Sequence, residues 1–201
     1  PQEKLIPAAV KLLGCTEEEA EDELARQVML KKLRLAKINN RSCIYLPDAF
    51  DAEKYICSKM DALEMTDHLS DVDNLNFLIE KTEMENGIHY EALQKKAIME
   101  AVKNSVFVLT GGPGTGKTTV VRAIIRIFRS MGLEIALATP TGRAAKRLSE
   151  VSGMEAKTIH RMLEMDGKSE EGIRYHRDEN NLLDEDVIIV DEASMIDLYL
   201  M

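Results

Sequence analysis

Apolar positions recur at helical spacing through most of the first hundred residues. Lys4 to Leu13 reads as a short helix stopped at Gly14. Thr16-Glu17-Glu18-Glu19 is a capping box, in which Thr16 caps and Glu19 reaches back. The helix it opens carries Ala20, Leu24 and Val28 at i+4 spacing and runs to Lys31. The period then changes. Leu33 to Ile38 and Ser42 to Leu46 read as strands joined by Asn39-Asn40, a pair suited to a tight turn. Pro47-Asp48 opens another helix, to Met65, with Ala49, Ala52, Ile56, Met60 and Leu63 on one face. Asp67 to Asn74 is polar and reads as a linker. Leu75 to Glu85 is a further helix closed by Asn86-Gly87, and Glu91 to Lys103 is the next.

The second half alternates short apolar runs with helical stretches. Ser105 to Leu109 reads as a buried strand. After a glycine-rich turn, Val120, Val121, Ile124, Ile125, Phe128 and Met131 fall on one helical face, with Arg122, Arg126 and Arg129 opposite. Gly132 sits where a C-cap belongs. Glu134 to Ala138 is a strand, and Thr158 to Arg161 marks another strand-to-helix junction. Asp166 to Asp186 is polar; composition alone makes it a surface loop, with Ile173 to His176 as a candidate hairpin arm. Val187 to Val190 shows no alternation, as in a central parallel strand covered on both faces. Strands alternating with helices imply an α/β class for residues 91–201. The expected boundaries are a helical, winged-helix-like region over 1–66, a helical linker segment over 67–90 and an ATPase-type domain over 91–201.

Two stretches carry chemistry. Gly111-Gly112-Pro113-Gly114-Thr115-Gly116-Lys117-Thr118 fits G-x-x-x-x-G-K-[ST] between an apolar run and a helix. Glycines let the backbone approach phosphate oxygens with no Cβ in the way. Lys117 is a point charge for β- and γ-phosphates, and the Thr118 hydroxyl is a Mg²⁺ ligand. Downstream, Asp191 and Glu192 emerge at the carboxyl end of an apolar strand, where open α/β sheets bind ligands. Asp191 is suited to Mg²⁺ and Glu192 to orienting or deprotonating an attacking water. That pair favours hydrolysis over transfer to a small acceptor, which disfavours a small-molecule kinase.

Charge qualifies this picture. The net charge is −9. Residues 1–100 hold 13 Lys+Arg against 20 Asp+Glu, a net of −7, and residues 101–201 hold 13 against 15, a net of −2. A basic stripe on the second half still acts on a phosphate backbone within a Debye length of ~10 Å. Thr139-Pro140-Thr141-Gly142-Arg143 leads into Lys146 and Arg147, placing hydroxyls, helix N-terminal amides and cations at one sheet edge. The plainer alternative there is a capped amphipathic surface helix. The winged-helix-like unit has a nucleic-acid-docking reading, but six acidic residues between Glu17 and Glu23 favour a packing role. Hydrophobic content of 45% and charged content of 30% are ordinary for a soluble domain. No apolar run nears the ~20 residues of a membrane span. Cys15, Cys43 and Cys57 lack metal spacing and are odd in number, so a reducing cytoplasmic setting is the expectation. His68 and His89 are lone histidines that read as surface residues.

Taken together, residues 109–119, 138–148, 158–163 and 189–197 resemble, in order, the early motifs of RecD-like superfamily 1 DNA helicases, most nearly the long stand-alone bacterial type. The resemblance implies a RecA-like parallel sheet and Mg-ATP as cofactor. It implies that Gln94 reads adenine, whose bidentate pattern suits an amide. It also implies that Gly111, Gly112, Pro113, Gly114, Thr115, Gly116, Lys117, Thr118 and Thr119 bind the triphosphate, and that Asp191 and Glu192 handle the metal and the water. Thr139, Pro140, Thr141, Gly142, Arg143 and His160 would hold single-stranded DNA. A strand-separating hairpin is implied at about 166–181, overriding the loop reading, together with 5′ to 3′ movement and action at single/double-strand junctions. The alternatives are the RecD subunit of a three-subunit exonuclease, a relaxase-fused helicase, and a non-catalytic DNA-binding module. The chain starts at Pro1 and ends seven residues past Ser194. The expectation is a piece of a longer protein, lacking the second motor domain and inactive as a motor alone.

Overall fold

Capping residues set where the first helices begin and end. α1 (Gln2–Leu13) stops at Gly14, whose φ of 68° and N–H bond to the Val10 carbonyl close the last turn. α2 (Glu17–Met29) starts on the complete capping box: the Thr16 hydroxyl accepts from the Glu19 N–H at 3.2 Å, and the Glu19 carboxylate accepts from the Thr16 N–H at 2.8 Å. Farther along, Glu23 accepts from Arg26 at 2.8 Å and from Gln27 at 2.5 Å. These hydrogen bonds hold its carboxyl down to about 2. β1 (Arg34–Ile38) and β2 (Arg41–Tyr45) pair antiparallel with Ile38 opposite Arg41. The intervening Asn39 and Asn40 have φ of 48° and 63°, the conformation a two-residue primed turn demands. α3 (Pro47–Glu64) follows and has no fully buried residue.

The computed structural model describes residues 1–65, 74–169 and 172–201, apart from the side chains of 167–169 and 172–173. His68, most of the expected linker and the middle of the expected 166–181 hairpin lie outside those residues. The chain divides into two units: Pro1–Met60 with Asp197–Tyr199 and Met201, and Asp61–Ile196 with Leu200. The first unit is thinly packed; among its described residues Ile6 and Ala20 are the buried apolar ones.

The second unit holds the larger core. It contains α4 (Leu75–Asn86), α5 (Ala92–Lys103), α6 (Lys117–Ser130), β3 (Ile135–Thr139), α7 (Gly142–Ser152), β4 (Ala156–Thr158) and α8 (Ile159–Met162). β5 (Met165–Ser169), β6 (Gly172–Tyr175) and β7 (Val187–Val190) complete it. β4, β3 and β7 form a parallel sheet in that order, with Leu137 opposite Ala156 and Ile189. Every residue of β3 is buried. Leu75 and Ile79 of α4 share one apolar cluster with Ile98 and Val102 of α5 and Ile124 and Phe128 of α6. Burying each such side chain stabilises by about 1.5–3 kcal/mol, so α4 is part of this core. β5 and β6 form an antiparallel hairpin, pairing Met165 with Tyr175 and Asp166 with Arg174. Its root is fastened by Arg177, which donates to Glu164 at 3.0 Å and to the Leu182 carbonyl at 2.7 Å.

Two expectations are corrected. Ser105 to Leu109 is not a strand. A strand exists only through a ladder partner, and among the described residues none pairs with it; Val108 is 79% exposed. β7 is an edge strand, not a central one, paired on one side with β3. Its residues alternate half-buried and exposed, with Ile188 48% exposed. Its apolar run therefore reports composition, not cover on both faces. Among the described residues no helix is long and apolar enough to cross a membrane.

Candidate nucleotide site

The site is built where α5, the glycine loop and α6 meet. α5 opens on Glu91 with a reciprocal capping box formed by Gln94. The Gln94 carbonyl oxygen accepts from the Glu91 N–H at 3.0 Å, and its amide nitrogen donates to the Thr115 carbonyl at 3.4 Å. One side chain thus ties a helix start to the loop. Gly116 makes this approach possible: a Cβ there would lie 2.3 Å from the Gln94 amide nitrogen, and its φ is +82°. Within the loop, the Thr115 hydroxyl donates to the Gly112 carbonyl at 2.9 Å. A Cβ on Gly111 would meet that hydroxyl at 2.9 Å. Pro113 and Gly114 form the exposed turn between them.

α6 begins at Lys117 with no side-chain cap, and its first intrahelical bond runs from the Val120 N–H to the Gly116 carbonyl. The N–H groups of Lys117, Thr118 and Thr119 therefore point out of the helix end without helical partners. A helix end of this kind carries roughly half a positive charge. The Lys117 ammonium folds back onto the Gly111 and Gly112 carbonyls at 2.5 and 2.7 Å. The donor set of orphan amides, one ammonium and the Thr118 hydroxyl fits a polyphosphate. Of that set the Thr118 hydroxyl oxygen alone could ligate Mg²⁺, an ion that takes most of its ligands from phosphate and water. Among the described residues no group of three or more His, Cys, Asp or Glu could hold a metal ion.

Asp191 and Glu192 are exposed at the carboxyl end of β7. The Asp191 N–H donates to the Ala138 carbonyl at 3.0 Å, which extends the β3 ladder past the strand end. The Glu192 N–H donates to the Asp191 carboxylate at 2.9 Å. Glu192 itself has φ 58° and ψ 32°, unusual for a residue with a Cβ. Among the described residues no hydrogen bond or ion pair joins Lys117 or Thr118 to Asp191 or Glu192.

The cationic segment lies next to Asp191 through β3. Thr139 is fully buried, and its hydroxyl donates to the Thr141 carbonyl at 2.8 Å. Thr141 caps α7 by accepting from the Ala144 N–H at 3.3 Å. Thr139 therefore shapes the turn from inside, while Pro140 is half-buried and Gly142, Arg143, Lys146 and Arg147 are exposed. His160 is half-buried on α8, whose start is capped by Thr158 accepting from the Arg161 N–H at 3.2 Å.

Sequence reasoning missed the support behind Gln94. Glu83 on α4 accepts from the Tyr90 N–H at 2.7 Å and the Lys95 ammonium at 2.8 Å. These bonds hold its carboxyl below the usual carboxylate range. Asn86 bonds Arg126. A cavity of about 100 Å³ opens beside them, lined by Asn86, Tyr90, Thr119, Arg122 and Arg126 among others. Glu83 and Lys95 are twelve residues apart in different helices, so no local period announces the pair.

Residues 94–201 match the family model described as an AAA domain. The chain belongs to the AAA domain family and is RecD-like. It is 38% identical over 153 residues to the ATP-dependent RecD2 DNA helicase of Deinococcus radiodurans, covering 76% of this chain and 20% of that protein. It is 33% identical over 181 residues to the RecBCD enzyme subunit RecD of Mycobacterium tuberculosis, covering 79% and 29%. The RecBCD enzyme subunit RecD of Mycolicibacterium smegmatis is 37% identical over 131 residues, covering 54% and 23%. The chain thus spans between a fifth and three-tenths of the length of these relatives. The matched family segment begins at Gln94, the residue that bridges α5 to the glycine loop.

Proposed function

We propose that this chain is the nucleotide-binding motor part of a cytoplasmic, ATP-dependent DNA helicase that translocates on single-stranded DNA. The observation that carries the reading is the uncapped start of α6 beneath a glycine loop, with Lys117 at the first helical position and Gln94 reaching the loop from α5. Lys117 exchanges its two loop carbonyls for phosphate oxygens. The orphan amides of Lys117, Thr118 and Thr119 orient the same group, and Gln94 turns its amide to the adenine edge. Thr118 and Asp191 would hold Mg²⁺, which would supply charge neutralisation for phosphoryl transfer. Glu192 orients the attacking water.

On the DNA side, Arg143, Lys146 and Arg147 and the start of α7 present cations and backbone donors to a phosphate backbone. The Asp191 N–H bond to Ala138 gives a direct structural link from the metal-binding residue to the Thr139–Arg143 turn. The β5–β6 hairpin is the candidate strand separator. The family resemblance also implies an arginine finger from a second motor domain, worth about 10³–10⁵ in rate elsewhere. The 201 residues alone are therefore expected to bind nucleotide and hydrolyse it slowly. Titration of a fluorescent ATP analogue tests the reading: the chain binds it in the presence of Mg²⁺, and Lys117→Ala loses that binding. Robust DNA-stimulated hydrolysis by the 201 residues alone would refute the dependence on a second domain.

A further inference from the structure

Glu83 lies one turn before the end of α4, with its side chain 11% exposed. One carboxylate oxygen accepts from the Tyr90 N–H at 2.7 Å and lies 3.0 Å from His89 Nδ1, and the other accepts from the Lys95 ammonium at 2.8 Å. The Glu83 carbonyl also accepts from the Ile88 N–H at 3.2 Å. These donors bracket the start of α5. His89 and Tyr90 precede the cap residue Glu91, and Lys95 follows Gln94 directly. Tyr90 is 2% exposed and anchors the same junction in the core. A carboxylate that accepts from a backbone N–H and an ammonium together forms charge-assisted bonds, here between a Glu83 side chain 11% exposed and a Lys95 side chain 32% exposed.

We propose that Glu83 is a positioning residue for nucleobase recognition: by gripping both ends of the α4–α5 junction, it holds Gln94 against the phosphate loop at Thr115 and Gly116. The inference rests on the reading of Gln94 as the base-contacting residue. The fit at that contact is close, because a Cβ on Gly116 would be 2.3 Å from the Gln94 amide. A small shift of the first turn of α5 therefore moves the amide relative to the loop and to any base beside it. Glu83→Gln keeps a carbonyl for the Tyr90 N–H but turns an amide donor toward the Lys95 ammonium. A purely structural Glu83 would lower stability and leave the choice between bases untouched.

The test is equilibrium binding of fluorescent ATP and GTP analogues to the wild-type protein and to Glu83→Gln, Lys95→Met, Gln94→Ala and the exposed control Glu80→Gln, with thermal unfolding of each. Glu83→Gln and Lys95→Met should weaken ATP binding about three- to tenfold. GTP binding should weaken less, so the ATP:GTP preference moves toward that of Gln94→Ala; Glu80→Gln should match wild type. A folded Glu83→Gln with unchanged preference, beside a Gln94→Ala that loses it, overturns the proposal and leaves the base reading intact. An unchanged preference in Gln94→Ala overturns both. Should Glu83→Gln fail to fold, Lys95→Met decides on the same ratio, since it leaves the Tyr90 bond in place.

Discussion

Gly116→Ala probes the contact that assembles the site. Two costs add. The first is backbone strain: Gly116 has φ +82°, and placing an L-residue in left-handed backbone costs about 1–2 kcal/mol. The second is displacement of Gln94, because the new Cβ would sit 2.3 Å from its amide nitrogen and 3.5 Å from its Cδ. Gln94 must swing away, losing its bonds to the Thr115 carbonyl and the Glu91 N–H. That adds about 1 kcal/mol after water replaces the partners. The sum is about 2–3 kcal/mol, a melting-temperature drop of about 4–12 °C for a chain of this size. Gly114→Ala separates the two costs, since Gly114 has φ +76° and a Cβ added there would meet nothing within 4 Å; it should show the strain alone. In a Gln94→Ala background, Gly116→Ala should cost about 1 kcal/mol less than in wild type. Thermal unfolding of the four proteins of the cycle, followed by circular dichroism, measures that coupling. Equal costs in both backgrounds would refute the close approach of Gln94 to the loop.

Three further outcomes follow from the same geometry. Thr139→Val removes a buried hydroxyl bonded to the Thr141 carbonyl and should destabilise by about 1–2 kcal/mol, measured by denaturant unfolding. Glu23 has its carboxyl lowered to about 2 in the folded chain from an ordinary 4.5; its contribution is full above pH 4.5 and fades as pH falls toward 2. Glu23→Gln should therefore flatten that part of the acid limb, and an unchanged limb would show the Arg26 and Gln27 bonds contribute nothing. Neutralising exposed Arg143, Lys146 and Arg147 one at a time should weaken single-stranded DNA binding and lower the slope of log K against log salt by about 0.7 each; an unaltered slope would remove α7 from the DNA surface.

Local chemistry made much of this fold legible. Thr16 and Glu19, Asn39-Asn40, Gly14 and the Lys117–Ser130 helix carry their signals within a few residues, and the structure bears each of them out. The glycine loop is legible for the same reason. Ser105–Leu109 as a strand, and the central position expected of the Val187–Val190 strand, failed on a different ground. Apolar β-branched composition favours extended backbone, but pairing and cover come from other segments, which the residues themselves do not encode. Thr139 illustrates the limit at the site: its type suggested a DNA contact, while its complete burial makes it an internal brace for the Thr141 turn. The Glu83 grip on α5 was invisible because it joins residues on two helices across the Gly87 turn. The β5–β6 hairpin was legible in the residues only as a candidate arm at Ile173 to His176, since the polar composition around it looks like loop.

The central claim is that this glycine loop powers a DNA-tracking motor. ATP hydrolysis by the intact protein that carries this chain, with and without single-stranded DNA and beside its Lys117→Ala variant, tests it most directly. A DNA-tracking motor should show strong stimulation by DNA and a loss of at least ~10²-fold in the variant. Hydrolysis indifferent to DNA, or near-wild-type turnover without Lys117, would contradict it.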